Sequence, residues 1–192
     1  ILFMCYKIIP IINSVTSISD KSLRKINDLV EYIYIKKGEL ITTVGQKNNR
    51  EYFLIEGICK SFLNTPEGES VTISFFMSNS IISPSTTRNK QGTSILNIQA
   101  LTDVEIATIN ATEFEKLMIE DLEIRDFGNS VLRNELEAKI QKEIALASLK
   151  GKDRLLLLRK NYPNIENLIS HIDIASYLGI TTISLSRLRT QS

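Results

Sequence analysis

The residues whose types and spacing carry the clearest chemistry form one run, His171-Ile172-Asp173-Ile174-Ala175-Ser176-Tyr177-Leu178-Gly179-Ile180-Thr181-Thr182-Ile183-Ser184-Leu185-Ser186-Arg187-Leu188-Arg189. Two short helices joined by a tight turn need a small residue where they cross, and Ala175 fills that place. Four positions on, the turn needs a residue that accepts positive φ, and Gly179 supplies it. Ile174, Leu178, Ile180, Leu185 and Leu188 bracket the turn and line the second helix, and Thr181 is placed to cap it. The pattern is that of a helix-turn-helix, whose second helix enters the major groove of double-stranded DNA. The plainer alternative is an αα-hairpin with a glycine turn. The match of these positions in one register, with a Ser/Thr/Arg outer face and the local charge, weighs against it.

With Leu185 and Leu188 facing inward, the second helix shows Thr182, Ile183, Ser186, Arg187 and Thr190 to solvent. Arg187 is the candidate for two hydrogen bonds to guanine, with a phosphate contact as its alternative role. Thr182 and Ser186 are placed for base edges or phosphates, and Ile183 for a thymine methyl. The candidate DNA-contacting set is therefore Thr181, Thr182, Ile183, Ser184, Ser186, Arg187 and Arg189. Arg189, like Arg154 and Lys152, reads as a backbone clamp or a solvated charge.

Charge supports this division. From Lys150 to Ser192 there are seven basic residues against three acidic ones, a local +4, while the whole chain carries only +1. The first 149 residues are therefore acidic at −3, and the small basic part sits on a larger acidic one. Other chemistry is poorly served. One histidine and two cysteines, Cys5 and Cys59, leave no metal centre, zinc finger or iron–sulfur site to expect. There is no nucleophile–base pair and no phosphate-binding glycine loop, so the expectation is no enzyme, no catalytic residue, no metal and no cofactor. Cys59, on an expected strand, reads as an inert apolar residue, and Cys5 as the same.

The elements that must position the helix-turn-helix follow from periodicity. Ser19 can cap a short helix whose face carries Leu23, Ile26 and Leu29/Val30. Strands are expected at Tyr32–Ile35, Leu40–Thr42, Tyr52–Ile55, Ile58–Leu63, Val71–Phe75, Ile95–Leu101 and Val104–Ile109, with turns at Gly38, Gly45, Gly57 and Gly68. Ser78 to Ser94 is rich in Ser, Thr and Asn and reads as loop. Many short strands with such turns argue a β-barrel or jelly roll. Asn110 opens a helical region. A long helix is expected from Leu122 to Leu149, and short helices from Asp153 to Tyr162, Ile172 to Leu178 and Thr181 to Arg189. The apolar opening, residues 1–12, lacks a basic flank and a small-residue cleavage site, and is short of the ~20 residues of a membrane span. It is expected to pack on the body of the fold in a cytoplasmic protein.

This order of parts resembles the CRP/FNR family of bacterial transcription regulators, built on the cyclic-nucleotide-binding fold. The residues that carry the resemblance are Lys37-Gly38-Glu39-Leu40 through Gly45, Tyr52-Phe53-Leu54-Ile55-Glu56-Gly57 and Glu67-Gly68-Glu69 before Val71-Thr72-Ile73. At the other end they are Ile174 to Thr181 and Leu185 to Arg189. The resemblance implies an α+β fold: an N-terminal double-stranded β-roll (jelly-roll-like) over 1–121, a long dimerisation helix over 122–149, and a C-terminal helix-turn-helix domain over 150–192.

It also implies a homodimer. Leu132, Leu136, Ile140 and Ile144 would form the seam, against the alternative of packing on the chain's own β-roll, as Phe127 and Val131 do. Relatives that bind cyclic AMP carry a Gly-Glu pair and an arginine-bearing triplet, neither of which appears in Ser80-Ile81-Ile82-Ser83-Pro84-Ser85 or Gln91-Gly92-Thr93-Ser94-Ile95. A buried phosphodiester would lack its charge partner. Arg88, the one arginine nearby, reads as a solvated loop cation. The recognition helix departs too, with Thr182-Ile183 where many relatives have Arg-Glu or Pro-Glu. The expectation is a DNA-binding regulator that does not bind cyclic AMP, with an unknown effector, no membrane contact and RNA polymerase as a further partner. The alternative is a cyclic-nucleotide-responsive regulator with an unconventional pocket.

Overall fold

Residues that alternate apolar and polar along the middle of the chain fold into two four-stranded antiparallel sheets. The computed structural model describes residues 7–83 and 88–190. One sheet has the order β1-β8-β3-β6, from Glu31–Ile35, Val104–Asn110, Arg50–Glu56 and Ser80–Ile82. The other has the order β2-β7-β4-β5, from Leu40–Thr42, Asn97–Ala100, Cys59–Asn64 and Ser70–Phe76. Side chains alternate faces along a strand, so β3 and β8 divide their residues between two cores. Tyr52, Leu54, Val104 and Ile106 point between the sheets with Cys59, Ile82, Ile98 and Ala100. Phe53, Ala107 and Ile109 point the other way, under the helices. The register pairs Phe53 with Ala107 and Leu54 with Ile106, which keeps each pair on one face.

The β3–β4 turn depends on Gly57. Its φ is +98°, and a Cβ there would meet the Asp103 carbonyl oxygen at 2.5 Å.

The helical cover begins earlier than the sequence reading placed it. Ile8, Ile11 and Ile12 are fully buried, and Pro10 sits in the first turn of α1 (Ile9–Val15), where a missing N–H costs nothing. The apolar opening thus packs on the body of the fold as a helix. Ile1 to Tyr6, including Cys5, lie outside the described residues. Ser19 caps α2 (Asp20–Asn27) by accepting from Ser22 N–H, and Asn110 caps α3 (Ala111–Glu120) by accepting from Thr112 and Glu113 N–H. A further correction concerns Ser78–Ser94, read as loop. It contains β6, three residues long, held at the sheet edge by pairing with β3.

The long helix α4 runs Leu122–Ser148, capped by Asp121. Its first half lies in the helical core, where Phe127 stacks on Phe53 with centroids 6.5 Å apart and meets Phe114 edge-on. The chain then turns through Leu149 and Lys150 into α5 (Gly151–Asn161), α6 (Ile165–Leu168), α7 (His171–Leu178) and α8 (Thr182–Thr190). These last helices share a third core of Leu155, Leu158, Ile165, Ile174, Ala175, Leu178 and Leu185. Phe75 of β5 enters this core too, so the roll and the C-terminal helices pack as neighbours.

Candidate nucleic-acid interface

The turn between α7 and α8 has the geometry its residue types demand. Gly179 is left-handed, at φ 63° and ψ 39°, and its N–H bonds back to Ala175 and Ser176 carbonyls. A β-branched or bulky residue would be strained there. Ala175 and Leu185 are buried at the crossing, at 2% and 1% exposure. Ser184 N–H donates to Thr181 Oγ1 at 3.1 Å, and the Thr181 hydroxyl donates to Ser184 Oγ at 2.9 Å. Thr181 is thus the cap it was expected to be, and the two hydroxyls are engaged with each other. Thr182, Ile183, Ser186 and Arg187 are exposed, Ile183 at 65%. They form one outward row on α8, while Ser184 is half-buried.

Arg189 is tied down rather than free. Its Nε lies 3.0 Å from Glu166 Oε1, and Nη1 lies 3.3 Å from His171 Nδ1. Arg159 holds the other oxygen of Glu166, Nε to Oε2 at 2.6 Å. Hydrogen bonding from Arg159, then the nearby charges of Arg159 and Arg189, holds the Glu166 carboxyl below its ordinary range against the opposing effect of burial. The reading of Arg189 as a merely solvated charge is therefore corrected. It closes the C-terminal end of α8 onto α6 and α7.

The contacts that hold α7 were not read from the sequence. Strand β5 lies at the edge of its sheet, and an edge presents unpaired backbone groups that must be covered. Ser176 covers two: its Oγ accepts from Thr72 N–H at 2.9 Å and donates to the Ser70 carbonyl at 3.1 Å. Lys142 of α4 donates to a third, the Ile73 carbonyl. Beside them Lys60 Nζ meets Asp173 Oδ1 at 2.5 Å, with only 8% and 14% of the two side chains exposed. Phe75 packs against Tyr177 and Tyr162 at 5.0 and 6.0 Å between centroids. The only sequence signal was an acid and a serine on α7 at residues 173 and 176, three apart and so on one face.

On α4, Leu132, Leu136, Ile140 and Ile144 are 40%, 60%, 46% and 51% exposed. None of the four is buried by the chain's own β-roll, whereas Phe127 is buried and Val131 packs on the helical core. In the roll, Cys59 is buried and burial pushes its thiol up to about 12, which leaves no thiolate chemistry. Arg88 requires another correction. Its guanidinium pairs with Glu51 at 2.6 Å, with 11% and 16% of the side chains exposed, and also reaches the Arg50 carbonyl. It is not a solvated cation. Pro84 and Ser85 of the phosphate-region comparison lie outside the described residues.

Residues 32–121 match the family model described as the cyclic nucleotide-binding domain. The matched stretch runs from β1 to the end of α3 and so takes in the whole β-roll. Solved structures extend the likeness in fold to nearly the whole chain. FixK2 from Bradyrhizobium japonicum is 18% identical with a TM-score of 0.73, over 84% of this chain and 83% of that one. The c-di-GMP-responsive global regulator CLP of Xanthomonas campestris is 13% identical with a TM-score of 0.70, over 90% and 91%. The catabolite activator protein of Thermus thermophilus is 15% identical with a TM-score of 0.59, over 95% and 85%. The chain thus shares the fold of these regulators: a β-roll, a long helix and a helix-turn-helix. No curated protein matches the sequence. Within the matched stretch Arg88 is already neutralised by Glu51. Among the described residues no helix is long and apolar enough to cross a membrane, and no three His, Cys, Asp or Glu side chains cluster for a metal.

Proposed function

We propose that this chain is a DNA-binding transcription regulator that acts as a homodimer in the cytoplasm. The observation that carries the reading is the outward row Thr182, Ile183, Ser186 and Arg187 on a helix whose other side is fixed by buried Leu185. That row offers short side chains at its start and a guanidinium at its C-terminal end, groups that can address base edges in the major groove. The exposed stripe of Leu132, Leu136, Ile140 and Ile144 supports the dimer, since two copies of the stripe meeting on a two-fold axis would remove it from water. Two recognition helices then address two half-sites one helical turn apart. RNA polymerase is the expected further partner. Residues 1–121, 122–149 and 150–192 serve as sensor, dimerisation and DNA-binding parts.

The roll does not bind cyclic AMP in this reading, because the Arg88–Glu51 pair leaves no free guanidinium for a buried phosphodiester. The family match favours the second reading, a cyclic-nucleotide-responsive regulator with an unconventional pocket. Calorimetric titration with cyclic AMP, cyclic GMP and cyclic di-GMP separates the two, and saturable micromolar binding of any of them selects the second. The test of the function itself is selection of bound genomic fragments, followed by anisotropy on the selected and random DNA at two salt concentrations. A sequence preference with a steep salt dependence is expected. Equal, weak binding to both DNAs would reject a regulator. Leu136→Asp should turn the dimer into monomer or unfolded protein by light scattering, and a folded dimer of unchanged stability removes the seam.

A further inference from the structure

A cavity of about 410 Å³ opens where α4, α5 and α7 meet. Helical geometry puts Ala138, Lys142 and Ala145, which line it, on the side of α4 opposite the exposed leucine stripe. A dimer through that stripe therefore leaves the cavity clear. Its walls include Leu146, Leu157, Leu158 and Tyr162, and its charges are uneven: Lys142 and Arg154 against one carboxylate, Glu137, on an exposed residue.

The two cations lack acidic partners. Lys142 donates to the Ile73 carbonyl and lies 3.9 Å from the centre of the Tyr177 ring, both neutral groups. Arg154 Nε is buried with no hydrogen-bond partner. Among the described residues neither cation has a carboxylate within ion-pair distance. Both residues are half-buried, and a cation drawn partly out of water without a counter-ion is costly, a cost that a bound anion relieves. A volume of this size suits a small molecule with a few fixed polar groups.

We propose that this cavity binds a small organic anion with an apolar body, its acid group facing Lys142 and Arg154. The occupant would touch α4, α5 and α7 together. Leu146 and Arg154 also stand against the turn at Gly179, at 3.5 and 3.6 Å from where its Cβ would be, so occupancy bears directly on the start of α8. The inference goes beyond the DNA-binding reading and needs no DNA for its test.

Lys142 supplies a second readout. Burial, with Lys139 adding to it, holds its amine down at about 8. The titratable groups around it are Glu135, Glu137, Lys139 and Glu143 on its own helix, Arg154 and Tyr162 from α5 and its cap, and Tyr177 from α7. From β5 only Ile73 to Phe76 line this side, none of them titratable. An anion beside Lys142 raises its pKa, so binding at pH 8 takes up at most about half a proton and binding at pH 6 none.

The test uses the full chain and two probes with one aromatic body, 1-anilinonaphthalene-8-sulfonate and neutral N-phenyl-1-naphthylamine. Fluorescence titration should give single-site sulfonate binding about tenfold or more tighter than the neutral probe. The preference should vanish in Lys142→Met with Arg154→Met. Ala138→Trp, or Gln141→Trp at the exposed rim where the first fails to fold by circular dichroism, should abolish both. Calorimetry in Tris and HEPES should find the proton uptake at pH 8 and lose it in Lys142→Met. Equal affinity for the two probes, or sulfonate binding that survives a folded filling variant, overturns the proposal.

Discussion

Helices α7 and α8 are neighbours of nearly equal length, eight and nine residues, joined by one glycine turn, yet they are held in opposite ways. Helix α7 lies between α8 and the edge of the roll, where a buried ion pair, a serine that satisfies two edge-strand groups and three aromatic rings fix it. Helix α8 touches the rest of the chain along one side only. Leu185 is buried at its middle and Arg189 is bound at its end, while Thr182, Ile183, Ser186 and Arg187 face outward. The difference separates holding from reading. Polar contacts of high specificity set where the pair sits, so the outer face of α8 is free of any structural duty.

The sharpest way to break this arrangement is at the α7 anchor. Asp173→Ala leaves Lys60 charged and nearly buried, and removing one partner of a buried pair costs about 3–5 kcal/mol. Denaturant unfolding should show that loss. Lys60→Met with Asp173→Leu should recover most of it, because neither buried charge remains. A single variant that loses less than ~1 kcal/mol would mean that apolar packing alone holds α7.

On α8 the expected loss is in binding rather than in folding. Arg187→Ala should cost about 1–3 kcal/mol on the true operator and much less on random DNA if the guanidinium reads guanine. If it holds phosphate, both DNAs should weaken together and the salt slope should fall by about one ion. Arg189→Ala is the contrast: it should lower the stability of the C-terminal helices, since it frees one side of Glu166. Operator and random-DNA affinities for both variants across a salt series make the comparison. Unchanged affinity in a folded Arg187→Ala protein removes that residue from the interface.

What was legible in the sequence follows the range of the forces involved. Alternation over Val71–Phe75 announced β5, short apolar runs between turns announced β3 and β8, and the Ala175–Gly179–Leu185 spacing announced the helix pair, because each signal is local. Strand β6 was missed because three residues hold no period and its pairing partner lies far back in the chain. Helix α1 was missed because an apolar run next to proline hides the i, i+3, i+4 spacing of Ile8, Ile11 and Ile12. Arg88 looked solvated among polar neighbours, while its partner Glu51 stands 37 residues away. Lys60 and Asp173 are 113 residues apart, and no local pattern links them. The outward residues of α8 were legible because exposure on a short helix follows directly from which leucines face in.

A subtler test of the α7 anchor is Ser176→Ala. Thr72 N–H and the Ser70 carbonyl would lose their partner at a sheet edge, at a cost of about 1 kcal/mol. Hydrogen exchange should then quicken at Thr72 and leave β4 protected. Equal exchange at Thr72 in both proteins would mean that the serine covers nothing.

The smallest effect is expected at the far end of α8, where Glu166 joins Arg159 and Arg189. Its carboxyl titrates below its ordinary value in the folded chain, chiefly through the hydrogen bond from Arg159. The unfolded chain therefore binds the proton first. The stability this group contributes is fully present above the ordinary glutamate value, near ~4.3, and is lost as pH falls through the lower folded value. Glu166→Gln removes that dependence while keeping the shape. Urea midpoints for both proteins from pH 7 down to pH 3 should differ at neutral pH and converge in acid. Because α8 keeps Leu185 in either case, Arg187 should stay presented, and DNA affinity at neutral pH should fall far less than for Arg187→Ala. A Glu166→Gln protein whose midpoints run parallel to the parent's down to pH 3 would show that this carboxylate does not link α8 to α5.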